Sequence, residues 1–135
     1  MPLSVPTSLP PEIRSAPMQP FNVTENDLRA GCRDVQIEGE LDLAVAGKLD
    51  EVLTAAAEQC NCVLVGLEHC AFIDSSGIAV ILRAHHRMEA DGNRLAVYAP
   101  TEQVLRVLSM TGLTANSLVY DSAEEALAAI AESAG

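Results

Sequence analysis

The residues best equipped for chemistry stand together in HCAFIDSSGIAVILRAHH, residues 69–86. There Asp74, Ser75 and Ser76 separate an apolar run from a helical pattern, with histidines on either side. Three uses fit such a set. A serine near a histidine and an acid can be a hydrolytic nucleophile. An exposed serine can accept a phosphoryl group. Asp and Ser can also simply cap a helix by accepting its free N–H groups. The hydrolase reading fails on spacing, because a nucleophile elbow needs G-x-S-x-G and Ile73 occupies the place of the first glycine. The candidate bases are no better placed. His85 falls on the apolar face of its own helix, and His86 on the polar face with Arg83 and Arg87.

A second set is Cys60, Cys62, His69 and Cys70. Zinc sites usually space their cysteines as C-x(2–4)-C, and CNC is tighter than that. Cys62 opens an apolar run and Cys70 precedes Ala71 and Phe72, so these thiols read as buried and inert. The expectation is no metal and no cofactor. A small thiol or metal protein built on Cys60, Cys62 and Cys70 is the rival of a different class.

The elements that must position these residues follow from periodicity. FNVTEN from Phe21 and RDVQIEGEL from Arg33 alternate apolar with polar residues, which predicts two half-exposed strands. Val45, Leu49, Val52, Leu53 and Ala56 then recur at helical spacing up to Gln59, with Asp42 placed as the cap. CVLVGL (62–67) and LAVYA (95–99) are short continuous apolar runs, as expected of strands covered on both faces. Between them Ile78, Ile81, Leu82, His85 and Met88 trace a helix face that ADGN stops. Strand, helix, strand implies a right-handed crossover and parallel pairing. After Pro100 come a short helix marked by Val104, Val107 and Leu108 and closed by Gly112, and then a small strand, SLVY. A last helix opens with a capping box of Ser122 and Glu125. The predicted order is β β α β α β α β α.

At 135 residues the chain suits one domain. Six of its seven prolines fall in the first twenty residues, so residues 1–18 read as a disordered tail and residues 19–135 as the domain. Nineteen acids against eight bases give a net charge of −11, which repels phosphate backbones and anionic lipid. Neither nucleic acid nor a membrane is an expected partner. The apolar runs fall short of the roughly 20 residues that span a bilayer, and no export signal is evident, so the expected compartment is the cytoplasm with reduced thiols. The NVT at Asn22 is then a chance glycosylation match.

Three blocks carry a resemblance: GELDLAVAGKL from Gly39, FIDSSGIAVIL from Phe72 and VLRVLSMTGL from Val104. They are similar to conserved blocks of the bacterial anti-sigma factor antagonists, the STAS-domain family, with a match running from about Phe21 to Ala131. The resemblance implies an α/β fold, a STAS-type mixed β-sheet of four to five strands with about four helices, and no catalytic activity. It assigns the phosphoacceptor to the first serine of DSSG, Ser75. The implied partners are a nucleotide-loaded serine kinase that is also an anti-sigma factor, and a serine phosphatase that resets the switch. Unphosphorylated protein binds the kinase and frees the sigma factor; phosphorylated protein lets go. Ala79 departs from the pattern, standing where many members have a second glycine.

Local chemistry supports this independently. If Asp74 or Ser75 caps the helix, a phosphate there meets free N–H groups and the positive end of the dipole. It also adds about −1.5 to −2 charge beside Asp74, at a spot expected to be lined by Phe72, Ile73, Gly77 and Ile78. Asp74, Ser76, Gly77 and Ile78 are therefore the expected partner-binding residues, with Glu40 and Asp42 of the EGELD strand meeting basic groups of the partner. Within binding modules, the alternative is a STAS subunit of a lipid-transport or other membrane-associated complex.

Overall fold

The structure, a computed structural model, describes residues 21–29, 31–110 and 118–134. The tail expected over residues 1–18 and the stop expected at Gly112 lie outside the described residues. The elements are β1 (Asn22–Arg29), β2 (Cys32–Leu41), α1 (Leu43–Gln59), β3 (Cys62–Ile73), α2 (Ser75–Ala90), β4 (Arg94–Tyr98), α3 (Glu102–Met110), β5 (Val119–Tyr120) and α4 (Ala123–Ala134). This is the order that the periodicity predicts. The five strands form one mixed sheet in the spatial order β1-β2-β3-β4-β5, antiparallel between β1 and β2 and parallel from β2 onward.

Steady advance of the parallel strands has a packing consequence. Right-handed crossovers that all step in one direction put their helices on one face. Leu49, Leu53, Ile78, Ile81, Val104 and Leu108 of α1, α2 and α3 accordingly meet Val35, Ile37, Val63, Val65 and Val97 in the main core. The buried residues of α1, Ala46, Leu49, Leu53 and Ala56, keep the three- and four-residue steps that align one helical face. After β5 the chain returns across the opposite face as α4. Its Ala126 and Ile130 cover Cys32, Cys62, Leu64, Ala96 and Tyr98.

That second layer corrects the expectation of a half-exposed β2. Asp34 alternates with Val35 as predicted, but it points under α4 and Tyr98 and is only 6% exposed. A carboxylate is tolerated there only with donors in place. The Tyr98 hydroxyl donates to Asp34 Oδ1 at 2.7 Å, and Gln36 Nε2 donates to Asp34 Oδ2 at 2.9 Å and to the Tyr98 oxygen at 2.6 Å. Tyr98 reaches this position by lying over Gly66, where a β-carbon would come within 2.6 Å of its hydroxyl.

A second correction concerns β3. The polar pair Glu68 and His69 does not end the strand at Leu67; β3 continues to Ile73, paired to β2 alone past Gly66. Two register shifts accommodate the extension, one of them between Gly39 and Glu40. Gly39 has φ +85°, a conformation natural to glycine and costly for other residues.

Burial, and then the hydrogen bond and charge of Asp34, push the Tyr98 hydroxyl above its ordinary pKa of 10.0. A group whose pKa is raised on folding contributes stability that is complete below its unfolded pKa and is lost as pH rises through the folded one. Tyr98→Phe should therefore lower stability by about 1–3 kcal/mol at neutral pH, through the donor that Asp34 loses. It should also flatten the decline of wild-type stability above the ordinary tyrosine pKa, as read by urea denaturation at neutral and alkaline pH.

Candidate functional site

Parallel pairing brings β2 and β3 to an end together, with Leu41 and Ile73 in register. Each strand is followed by one aspartate and then a helix, and the Asp74 N–H donates to the Leu41 carbonyl at 3.1 Å. The starts of α1 and α2 therefore emerge side by side. Asp42 Oδ1 accepts from Ala44 N at 3.0 Å and caps α1, as its sequence position predicts.

Asp74 caps α2 more fully. Its Oδ1 accepts from Ser76 N at 2.9 Å and Gly77 N at 3.2 Å, and also from the Ser76 hydroxyl. Partial burial acts to raise the Asp74 pKa, but the Ser76, Gly77 and Leu43 donors outweigh it and hold the carboxyl below its ordinary value. Helix N-termini favour an anion for the same reason. The two serines are thus unequal. Ser76 is half-buried with its hydroxyl committed to Asp74, whereas Ser75 is exposed on the first turn.

The surroundings differ in part from expectation. Ile73, Gly77 and Ile78 were expected on the docking surface; all three are buried, with Ile78 4% exposed. A β-carbon on Gly77 would lie 2.6 Å from Leu41 Cγ and 3.1 Å from Ile73 Cγ1, so this glycine lets the helix start sit directly on the ends of the strands. Gly77 and Ile78 act from beneath, as supports. Of the four apolar residues expected around the serine, Phe72 alone is exposed, at 38%. Glu40 is half-buried at the end of β2, paired with Phe72.

The apolar surface is supplied by residues that sequence reasoning passed over. A groove of about 270 Å³ runs between α1 and α2, lined by Leu43, Ala46, Gly47, Ala79 and Val80, with Asp50, Ser76 and Arg83 also on its walls. Leu43 is 77% exposed at its mouth. The available signal was phase: Leu43 is a large apolar residue off the stripe formed by Leu49, Leu53 and Ala56. Ala79, the departure from the family pattern, lies in this groove.

The cysteines do not converge as one set. Cys62 opens β3 and Cys70 lies eight residues along the same strand, roughly 26 Å away at about 3.3 Å per residue. Burial raises the pKa of the Cys70 thiol, which donates to the Phe72 carbonyl at 3.3 Å. Among the described residues, no group of three or more His, Cys, Asp and Glu is placed to hold a metal ion. No helix among them is long and apolar enough to cross a membrane.

Residues 24–126 match the STAS domain. The chain belongs to the STAS domain family. An anti-sigma F factor antagonist of Paenibacillus polymyxa is 32% identical to this STAS protein over 107 residues, covering 76% of this chain and 90% of the relative. A crystal structure of an anti-sigma factor antagonist from Mycobacterium paratuberculosis aligns at a TM-score of 0.74 with 21% identity, covering 82% of this chain and 94% of that one. The Bacillus cell fate determinant SpoIIAA in its phosphorylated form aligns at 0.65 with 20% identity, over 81% and 99% of the two chains. Both structural likenesses show the same fold. An anti-sigma-B factor antagonist of Bacillus subtilis is 30% identical over 89 residues, covering 66% of this chain and 77% of the relative.

Two substitutions test the supports of this site. Gly77→Ala should cost about 1–3 kcal/mol through overpacking against Leu41 and Ile73, as measured by chemical denaturation. Asp74→Ala should cost about 0.5–2 kcal/mol through loss of the cap. Because the Asp74 pKa is lowered on folding, its contribution is present above the ordinary value of 3.8 and is lost as pH falls through the folded pKa. The difference between wild type and Asp74→Ala should therefore narrow in acid, which denaturation curves at acid and neutral pH will show.

Proposed function

We propose that this protein is an anti-sigma factor antagonist, a phosphorylation-switched binding protein acting in the cytoplasm. Its unphosphorylated form binds a nucleotide-loaded serine kinase that doubles as an anti-sigma factor, and so releases the sigma factor. Phosphorylation of Ser75 ends the binding, and a serine phosphatase restores it. The relatives named as anti-sigma factor antagonists support the first statement, and the phosphorylated form solved for a protein of the same fold supports the second.

The observation that carries the reading is the division of labour at the start of α2. The Ser76 hydroxyl donates to Asp74, which leaves exposed Ser75 as the serine presented to a kinase. The exposed Leu43 and Phe72 and the α1–α2 groove provide apolar contact area beside it. Glu40 and Asp42 flank the same edge of the sheet and are the acids that would meet basic groups of the partner. A phosphate on Ser75 adds about −1.5 to −2 charge to this edge. The N-terminus of α2 tolerates that charge, so the fold persists while the docking surface becomes more negative.

Binding of three variants to the candidate kinase, with ADP or ATP present, tests the switch. Ser75→Ala removes the acceptor while keeping shape and charge, and should bind and stay bound. Ser75→Glu places a negative charge next to Asp74 and should lose at least about tenfold in affinity, equivalent to about 1.4 kcal/mol. Ser76→Ala should remain phosphorylatable. A phosphate mapped by mass spectrometry to Ser76, or Ser75→Glu binding as tightly as wild type, would overturn the assignment.

A further inference from the structure

The sequence grouped Cys60, Cys62 and Cys70, but the sheet pairs Cys62 with a different thiol. Cys32 is the first residue of β2 and Cys62 the first of β3, and the two are direct partners in the parallel register. Both side chains point to the α4 face, packed among Leu64, Ala96, Ala126 and Ile130, at 6% and 4% exposure. The two strand starts are further pinned by Gly31, whose carbonyl accepts from Asn61 N and Cys62 N at 2.9 Å each. Cys60, although two residues from Cys62, lies in the core on the other face of the sheet.

Neighbouring strands lie about 4.7–4.9 Å apart, inside the roughly 4.4–6.8 Å window of Cα separations that a disulfide can span. Two Cβ atoms directed to one face meet the second geometric requirement. Cys32 and Cys62 therefore need little backbone movement to be joined. Cys60 and Cys62, directed to opposite faces, need a rearrangement of the segment between them.

We propose that Cys32 and Cys62 are a redox pair, reduced at rest and joined as an intramolecular disulfide by hydroperoxide. One thiolate attacks a peroxide oxygen, the O–O bond breaks, and a sulfenic acid and one water form. The neighbouring thiolate then attacks the sulfenic sulfur and expels hydroxide, which leaves as a second water once protonated. In sum, two thiols and one hydrogen peroxide give one disulfide and two waters, so the sulfurs lose the two electrons that the peroxide gains. Both cysteines are the first residues of their strands, and each keeps a small exposed area, 6% and 4%. A reversible link of this kind is the usual use of a disulfide in a reducing compartment.

The test treats the folded full-length protein with hydrogen peroxide, quenches, alkylates in denaturant and maps peptides by mass spectrometry. The count of four alkylatable thiols should fall to two, with Cys32 linked to Cys62, Cys60 and Cys70 alkylated, and the link reversed by dithiothreitol. Cys60→Ser should form the same link at a rate within about twofold of wild type, since Cys60 faces the other way. Cys32→Ala should form no intramolecular disulfide. If that variant does not fold, the wild-type map and the Cys60→Ser result decide. A Cys60–Cys62 link in the folded protein, a Cys32–Cys62 link only after unfolding in urea, or four thiols left unlinked would each overturn the proposal.

Discussion

Everything at the candidate site depends on the parallel ladder that brings β2 and β3 to an end together at Leu41 and Ile73. With that register the two capping aspartates fall at one edge of the sheet, and α1 and α2 start next to each other. A one-residue slip would turn every side chain of β3 to the opposite face. It would send Val63, Val65 and Leu67 away from the main core and separate the two helix starts. Aliphatic burial on one face thus fixes the position of a serine that is itself exposed.

The start of α2 also shows how one carboxylate sorts two adjacent hydroxyls. Asp74 gathers two backbone N–H groups and the Ser76 hydroxyl, which satisfies the helix end and occupies one serine. Gly77 below it supplies close contact with Leu41 and Ile73. The first turn is therefore held rigidly from within while its outer residue stays open. Such an arrangement suits a charge-based switch, because a docking surface can change electrostatically without the fold being disturbed.

The opposite face works under a different constraint. There α4 covers a shorter stretch of sheet, and the cover includes a carboxylate, Asp34, that needs Tyr98 and Gln36 as donors. Tyr98 in turn needs Gly66 beneath it. A buried polar group with all its partners in place is specific as well as costly to disturb. The same narrow layer sets Cys32 beside Cys62.

The sequence by itself determined the element order, the parallel pairing implied by strand-helix-strand, and the Asp42 cap, and it narrowed the cap of α2 to Asp74 or Ser75. These are local matters of periodicity and capping chemistry, legible over a few residues. The singling out of Ser75 came from the block resemblance. Tertiary structure decided the rest. Asp34 reads as a solvated position because alternation records only that Asp34 and Val35 face opposite ways; whether the far face is wet depends on where α4, ninety residues later, comes to lie. Gly77 and Ile78 read as docking residues because a sequence does not show that Leu41 and Ile73 converge beneath them. Leu43 gains its place at the mouth of a groove only once α1 and α2 lie side by side, and Cys32 meets Cys62 only through the β2–β3 register. Contacts between residues far apart in sequence are fixed by strand pairing and by the side on which each helix packs, and no short window of the chain contains either.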